Sequence, residues 1–264
     1  MSELSNVQVR RDRHLWRLAA TALCFAVFGA GCLAFALLVA PASRLLPLRA
    51  RARTVRGALG RAMRWFAAFM RAMGVLTYEL EGLERLGRPG QLILANHPTL
   101  IDVVFLLGFA PSSNCIVKHE LWRNPLTRWS VAAAGYVSNA PTDRMIEDAA
   151  DALRGGQSVI IFPEGTRTVP GRALQFHRGA AAIAVRAATV VTPVYIKCSP
   201  PTLAKSDPWY RIPERRVNFS VRAGADLDPG PLRRSAPAPL AARAFHEELL
   251  RVFSTERMAG GGVG

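Results

Sequence analysis

Hydrophobic and polar residues follow three successive patterns along this chain. From Leu18 to Ala42 no charged residue interrupts roughly 25 positions, enough for one helix to cross a bilayer core of about 30 Å. Between Arg49 and Leu76 the period becomes helical, with Trp65, Phe66, Phe69 and Met73 on one side and Arg53, Arg56, Arg64 and Arg71 in the opposite sector. Beyond Tyr78 short apolar runs alternate with helical patterns. They predict strands near Leu92, Ile116, Tyr136, Ile160, Val191 and Phe219, and helices near Val103, Trp129, Ala149, Ile183 and Leu249. Such alternation specifies an α/β domain: a mainly parallel or mixed sheet flanked by helices.

The predicted organisation is an N-terminal helical membrane anchor over residues 1–76, an α/β domain over 77–258 and a flexible tail over 259–264. The anchor comprises the apolar helix 18–42, which spans or re-enters the bilayer, and the basic amphipathic helix 49–76. The second helix suits the headgroup plane, where anionic lipid holds the arginines and the aromatics insert; packing on its own domain is the competing reading. A cleaved signal peptide competes for the first helix, because Arg10, Arg11, Arg13 and Arg17 precede it and Ala40-Pro41-Ala42 has a small-x-small form. The apolar stretch exceeds the usual length of about 7–15 residues, which favours a membrane helix. Basic residues on both flanks lean only weakly toward an inner-membrane protein with its domain on the cytoplasmic side. The Pro-rich stretch 228–240 reads as a linker to a last amphipathic helix.

With 264 residues, half of them hydrophobic, the chain can build one such domain and the extra element. A net charge of +15 raises nucleic acid as a partner. No zinc-ligand spacing and no basic stripe interleaved with stacking aromatics supports it, so no nucleic acid is expected. Anionic membrane lipid and anionic substrates account for the charge more simply. Cys24 and Cys32 lie in the apolar stretch and Cys115 and Cys198 in predicted strands, which makes reduced, buried thiols the expectation and leaves no metal site.

Two segments carry candidate chemistry, Asn96-His97-Pro98-Thr99-Leu100-Ile101-Asp102 and Phe162-Pro163-Glu164-Gly165-Thr166-Arg167-Thr168, each directly behind an apolar run. Ligands of open α/β sheets bind at such strand ends. Residues five apart on a continuous helix diverge by about 140°. His97 and Asp102 therefore face each other only if His97 sits in the strand-to-helix turn, with Pro98 at the first helical position and Asp102 just over one turn in. That arrangement is a base with its orienter; no Ser or Cys stands in an elbow sequence, so the nucleophile is read as a substrate hydroxyl. The bland alternative makes His97 a helix cap and Asp102 a surface partner. In the second segment Gly165 allows close backbone approach and Arg167 can grip a phosphate bidentately, although a turn with a solvated ion pair explains such a tetrapeptide by itself.

The two segments in this order resemble the Asn-His-x4-Asp and Phe-Pro-Glu-Gly-Thr-Arg-Ser/Thr blocks of the glycerolipid acyltransferases of the lysophosphatidic acid acyltransferase family. Lys118-His119-Glu120-Leu121 with Pro125 and Gly135-Tyr136-Val137 is similar to the family's second block, and Val191-Thr192-Pro193-Val194-Tyr195-Ile196 to its fourth. Phe176-His177-Arg178-Gly179-Ala180 resembles the stretch after the third. The likeness runs from about Tyr78 to Val221 and makes 77–258 the acyltransferase domain.

The resemblance implies transfer of a fatty acyl group from acyl-CoA or acyl carrier protein, as thioester co-substrate with no other cofactor, to a lipid hydroxyl such as that of 1-acylglycerol 3-phosphate. It implies His97 as general base and Asp102 as its orienter. Asn96, Thr99, Lys118, Glu164, Gly165, Thr166 and Arg167 become candidate substrate-binding residues, and Arg144 and Arg178 further candidates. Oxyanion donors are expected among backbone amides at the start of the Thr99 helix or around Gly165. Two departures bear on the acceptor: Ser138-Asn139-Ala140-Pro141-Thr142 displaces Asp143-Arg144 from the family's position, and Thr99 stands where Ser or Gln is frequent. An acceptor such as lyso-ornithine lipid, a specialised polyene-type acyl lipid, and a non-catalytic membrane-binding protein of the same fold are the alternatives.

Overall fold

The structure, a computed structural model, describes residues 2–125, 127–169, 174–205 and 207–260. Seven strands form one sheet: β1 Leu76–Glu81, β2 Gln91–Ala95, β3 Asn114–Val117, β4 Val137–Ser138, β5 Val159–Ile161, β6 Val190–Ser199 and β7 Val217–Ala223. Their order is β1-β7-β6-β2-β5-β3-β4, and every neighbouring pair is parallel except β6–β7. The helices are α1 Ser2–Ala34, α2 Ala40–Ala42, α3 Leu48–Ala72, α4 Asp102–Phe109, α5 Glu120–Arg123, α6 Arg128–Ala134, α7 Thr142–Arg154, α8 Gly179–Ala187, α9 Gly230–Ser235 and α10 Ala238–Gly260.

Buried on both faces, β2 reads as a continuous apolar run rather than an alternating one. Its side chains divide by period two: Ile93 and Ala95 join the core shared with α3 and α4, while Leu92 and Leu94 join the one shared with α7, α8 and α10. From β2 the chain crosses by way of α4 to β3, and from β5 by way of α8 to β6 on the other side of β2. Connections thus diverge at the carboxyl ends of β2 and β5. This is where a crevice opens in a doubly wound sheet.

All six predicted strands and five predicted helices are present; β1 and the short α5 and α9 were not anticipated. The helix expected to reach Leu76 stops at Ala72. Gly74, at φ +74°, closes it with Gly74 N–H donating to Arg71 O and Val75 N–H to Met70 O, the paired bonds of a left-handed cap, and Leu76 opens β1. The expected linker 228–240 also holds α9, because Arg233 donates to the carbonyls of Ala184, Val185 and Ala188 at the end of α8. Of the expected tail 259–264, residues 259 and 260 end α10 and the remainder lies outside the described residues.

The N-terminal elements are built onto the domain. α3 crosses α4 so closely that a Cβ on Gly60 would lie 2.9 Å from Leu107 O. Arg56, expected on a headgroup-facing side, is instead buried and donates to Ser112 O and to Ala134 O at the carboxyl end of α6. Its neighbour Val55 lies in the packed seam, so the arginine's position on the helix turns it toward the protein. α1 lies along α3, with Trp16 Nε1 donating to Met73 O and Phe28 5.3 Å from Phe66 between ring centroids. From His14 to Leu45 the helical run, which includes a π-helical stretch at Phe35–Val39, is long and apolar enough to cross a membrane.

Candidate active site

His97 and Asp102 meet at the carboxyl end of β2. Nδ1 of His97 lies 2.7 Å from Asp102 Oδ2, and Asp102 is fully buried. The geometry differs in one respect from the expected one: α4 begins at Asp102 itself, so Pro98 to Ile101 form the turn before it. A carboxylate at the first position of a helix also faces the positive end of its dipole. Thr99 completes the support, its amide donating to Asp102 Oδ2 at 2.8 Å and its hydroxyl to Oδ1 at 2.7 Å. Burial pushes the Asp102 carboxyl up from its ordinary range, and the donors from His97 and Thr99 oppose the shift. With Nδ1–H donating to Asp102, the Nε2 lone pair is available to take a proton. Nε2 has no partner among the described residues, and the ring is 17% exposed.

The second motif is laced to the first. A turn from Phe162 to Gly165 closes with Gly165 N–H donating to Phe162 O, and Pro163 supplies its fixed φ. Glu164 Oε1 accepts the His97 amide at 3.1 Å and the Thr168 hydroxyl at 2.6 Å, while the Thr168 amide donates to His97 O at 2.7 Å. Burial raises the Glu164 carboxyl above its usual range against these two donors. Phe162 stacks on the imidazole with centroids 4.3 Å apart. Gly165 has φ +64°, and a Cβ there would meet the His177 ring at 2.9 Å.

Arg167 points to a third segment. Its Nη1 donates to Leu203 O at 2.8 Å and Ala204 O at 2.9 Å, and Leu100 N–H donates to the same Leu203 carbonyl at 3.3 Å. The β6–β7 connection is therefore strapped to both motifs. Arg17 of α1 fastens it further along by donating to Pro213 O and Glu214 O. Beneath the strap an almost wholly apolar cavity of about 100 Å³ lies between Leu100, Ile101, Phe28, Phe66, Met70 and Trp209.

The remaining candidates fall into two groups. Asn96 is spent on the sheet, where Nδ2 donates to Ile196 O and Oδ1 accepts from Ile196 N–H, so it extends the β2–β6 pairing instead of facing a ligand. The amides of His97, Thr99, Leu100 and Ile101 are likewise engaged and Pro98 has none. Thr166 and Arg167 keep backbone amides without an acceptor among the described residues, and Lys118 stands exposed at the carboxyl end of β3, the far neighbour of β5 on the same sheet edge. Arg144 is exposed on α7 beside Asp148, and Arg178 precedes α8 at the surface next to the exposed His177. Cys198 on β6 is a poor nucleophile, since burial, with the nearby Asp102 charge adding to it, pushes its thiol up to about 12. Among the described residues no group of His, Cys, Asp or Glu could hold a metal ion. Sequence reasoning gave no role to Phe162, Thr168 and Leu203. The first two stand within the motif, whereas nothing marks Leu203.

Fold and site together define an α/β protein with a histidine–carboxylate centre at the carboxyl edge of a mainly parallel sheet. In comparison with known proteins, the model of the family described as Acyltransferase matches residues 77–197. The 1-acyl-sn-glycerol-3-phosphate acyltransferase of Pseudomonas aeruginosa is 31% identical over 156 residues, 57% of this chain and 60% of the relative. The lyso-ornithine lipid O-acyltransferase of the same organism is 32% identical over 140 residues, 52% of this chain and 53% of the relative. The crystal structure of the 1-acyl-sn-glycerophosphate acyltransferase PlsC from Thermotoga maritima shares the fold, with a TM-score of 0.66 and 22% identity over 95% of this chain and 98% of that one. Residues 77–197 of this chain are thus similar to the acyltransferase family. Its matches span less than two thirds of the length of these two Pseudomonas relatives.

Proposed function

We propose that the protein is a membrane-associated O-acyltransferase that moves a fatty acyl group from acyl-CoA or acyl carrier protein to the hydroxyl of a lysophospholipid, foremost 1-acylglycerol 3-phosphate, giving phosphatidic acid. The observation that carries this reading is the buried Asp102, held by Thr99 and set against His97 Nδ1. Nε2 takes the proton of the acceptor hydroxyl as its oxygen attacks the thioester carbonyl. The carbon–sulfur bond then breaks, and the departing thiolate receives the proton from the imidazolium. No acyl-enzyme forms, and Asp102 stabilises the imidazolium without itself becoming protonated. The free amides of Thr166 and Arg167 are the donors suited to the oxyanion.

The apolar cavity beside Leu100 and Ile101 suits an acyl chain leading away from His97. The helix His14–Leu45 supports membrane association, and a cytoplasmic domain would give access to the thioester donors. One observation favours the second reading, an acceptor such as lyso-ornithine lipid that lacks the glycerol phosphate: the Arg167 guanidinium is bonded to the carbonyls of Leu203 and Ala204. Membranes containing the protein, offered labelled acyl-CoA or acyl carrier protein donors with lysophosphatidic acid or lyso-ornithine lipid, decide between them. Transfer to lysophosphatidic acid supports the first reading and transfer only to the other acceptor the second. Transfer with no pair would favour a non-catalytic membrane-binding protein of this fold.

A further inference from the structure

The carboxyl end of the apolar helix holds a cavity separate from the one beside Leu100 and Ile101. Here α1 gives way to the π-helical turn Phe35–Val39, then to α2 and a tight 3-10 turn at Ser43–Leu45. Such widened turns frequently coincide with functional sites. Packed against α6, this stretch encloses about 390 Å³ lined by Ala36, Leu37, Pro41, Arg44, Arg51 and Trp129 among others. None of these residues lines the cavity beside Leu100 and Ile101.

Charge identifies the occupant. Arg128 lies over the Trp129 ring at 4.7 Å from its centroid and Arg44 at 5.8 Å. Arg51 is fixed by donating from Nε to Ser43 O and from Nη2 to Arg44 O, leaving Nη1 without a partner among the described residues. No acidic side chain lines the cavity, and none of Arg44, Arg51 and Arg128 has an ion pair among the described residues, unlike Arg154 or Arg186. Two like charges over one indole, with Arg51 lining the cavity beside it, favour an anion there. Leu37, Leu38 and Leu45, respectively 64%, 68% and 89% exposed, border the same end of the helix. Arginine and tryptophan beside exposed leucines at the end of an apolar helix match the headgroup level of a bilayer.

We propose that this cavity binds the phosphate of an anionic phospholipid, with Arg44 and Arg51 around the phosphate, Arg128 adding its charge from the Trp129 ring, and the acyl chains running over Leu37 and Leu38. The proposal rests on the reading of His14–Leu45 as a membrane helix and not on acyl transfer, so a binding measurement tests it separately.

The full chain is reconstituted in phosphatidylcholine vesicles containing either brominated phosphatidylglycerol or brominated phosphatidylcholine. The signal of Trp129 is the difference between wild type and Trp129→Phe. Half-maximal quenching should need about fivefold less of the anionic lipid, the enrichment expected from even one basic contact. The preference should vanish in Arg44→Gln/Arg51→Gln, persist in Arg44→Lys/Arg51→Lys and shrink in the wild type as salt rises. Equal quenching by both lipids, a preference insensitive to salt, or one that survives in the glutamine pair overturns the proposal. Competition by millimolar inorganic phosphate would assign the site to a free anion and overturn the lipid assignment.

Discussion

The main-chain N–H of His97 donates to the side chain of Glu164, 67 residues further along the chain, at 3.1 Å. The base is therefore positioned from two directions, by Asp102 through its ring and by Glu164 through its backbone. Glu164→Ala leaves the Thr168 hydroxyl without its acceptor and the His97 amide with only Thr168 Oγ1, at 3.2 Å. We expect it to destabilise the protein by about 1–3 kcal/mol and to lower turnover by releasing the turn that carries His97. Glu164→Gln keeps an oxygen in place and should retain most of the stability, which denaturation in detergent will read.

The same pair makes a pH prediction. Burial holds the Glu164 carboxyl above its ordinary value of 4.5 in the folded protein. Its contribution is thus fully present below the unfolded value and is lost as pH rises through the higher folded value. Glu164→Gln does not titrate, so its stability relative to wild type should improve as pH rises above 4.5 toward the higher folded value. A constant difference as pH rises would show that burial does not raise the Glu164 carboxyl.

Thr99 joins both carboxylate oxygens of Asp102. Thr99→Val removes the hydroxyl at nearly constant volume and exposes Oδ1 to an apolar wall, at an expected cost of about 1.5–3 kcal/mol in stability. Thr99→Ser, which keeps the donor, should stay close to wild type. Equal stability of the two variants would remove the hydroxyl bond from the account.

Gly165→Ala separates two sources of strain. The ring of His177 is exposed and can turn away from a new Cβ, whereas φ +64° cannot be relieved without moving the turn. We expect a loss of about 1–2 kcal/mol that His177→Ala in the same chain recovers only in small part. Full recovery would place the strain in the side-chain contact.

Arg167→Ala distinguishes a phosphate grip from a strap. Loss of a phosphate contact raises KM for lysophosphatidic acid and leaves an acceptor without that phosphate unaffected. Loss of the bonds to Leu203 and Ala204 lowers turnover with every acceptor and speeds proteolysis between 200 and 216. Given the bonds in the structure, faster proteolysis is expected, and an unchanged acceptor KM would count against the phosphate role.

The parts of this site legible in the sequence are those set by local spacing. A base and a carboxylate five residues apart, with a proline between them behind an apolar strand, can face each other only across a turn. The start of α4 was misplaced because Pro98 is compatible with a first helical position, and the Thr99–Asp102 bonds that delay the helix are invisible in composition. Asn96 reads as a ligand residue until its partner, Ile196, is seen 100 residues away. Arg56 reads as a headgroup-facing charge and Arg17 as a basic flank of the apolar stretch for the same reason, since the carbonyls they satisfy belong to Ser112, Ala134 and the β6–β7 connection. β1 was missed because it pairs in parallel with β7, 141 residues distant, and follows a strong helical pattern with little warning beyond Gly74.

The central claim is that His97 is the general base, and the most direct test is the rate of acyl transfer to lysophosphatidic acid by membranes holding equal amounts of wild type and His97→Ala. General base catalysis is worth about 10² to 10⁴, so the variant should lose at least about a hundredfold in turnover while binding the acceptor as before. A variant that retains turnover within about tenfold of wild type would contradict the account and require another group to take the hydroxyl proton.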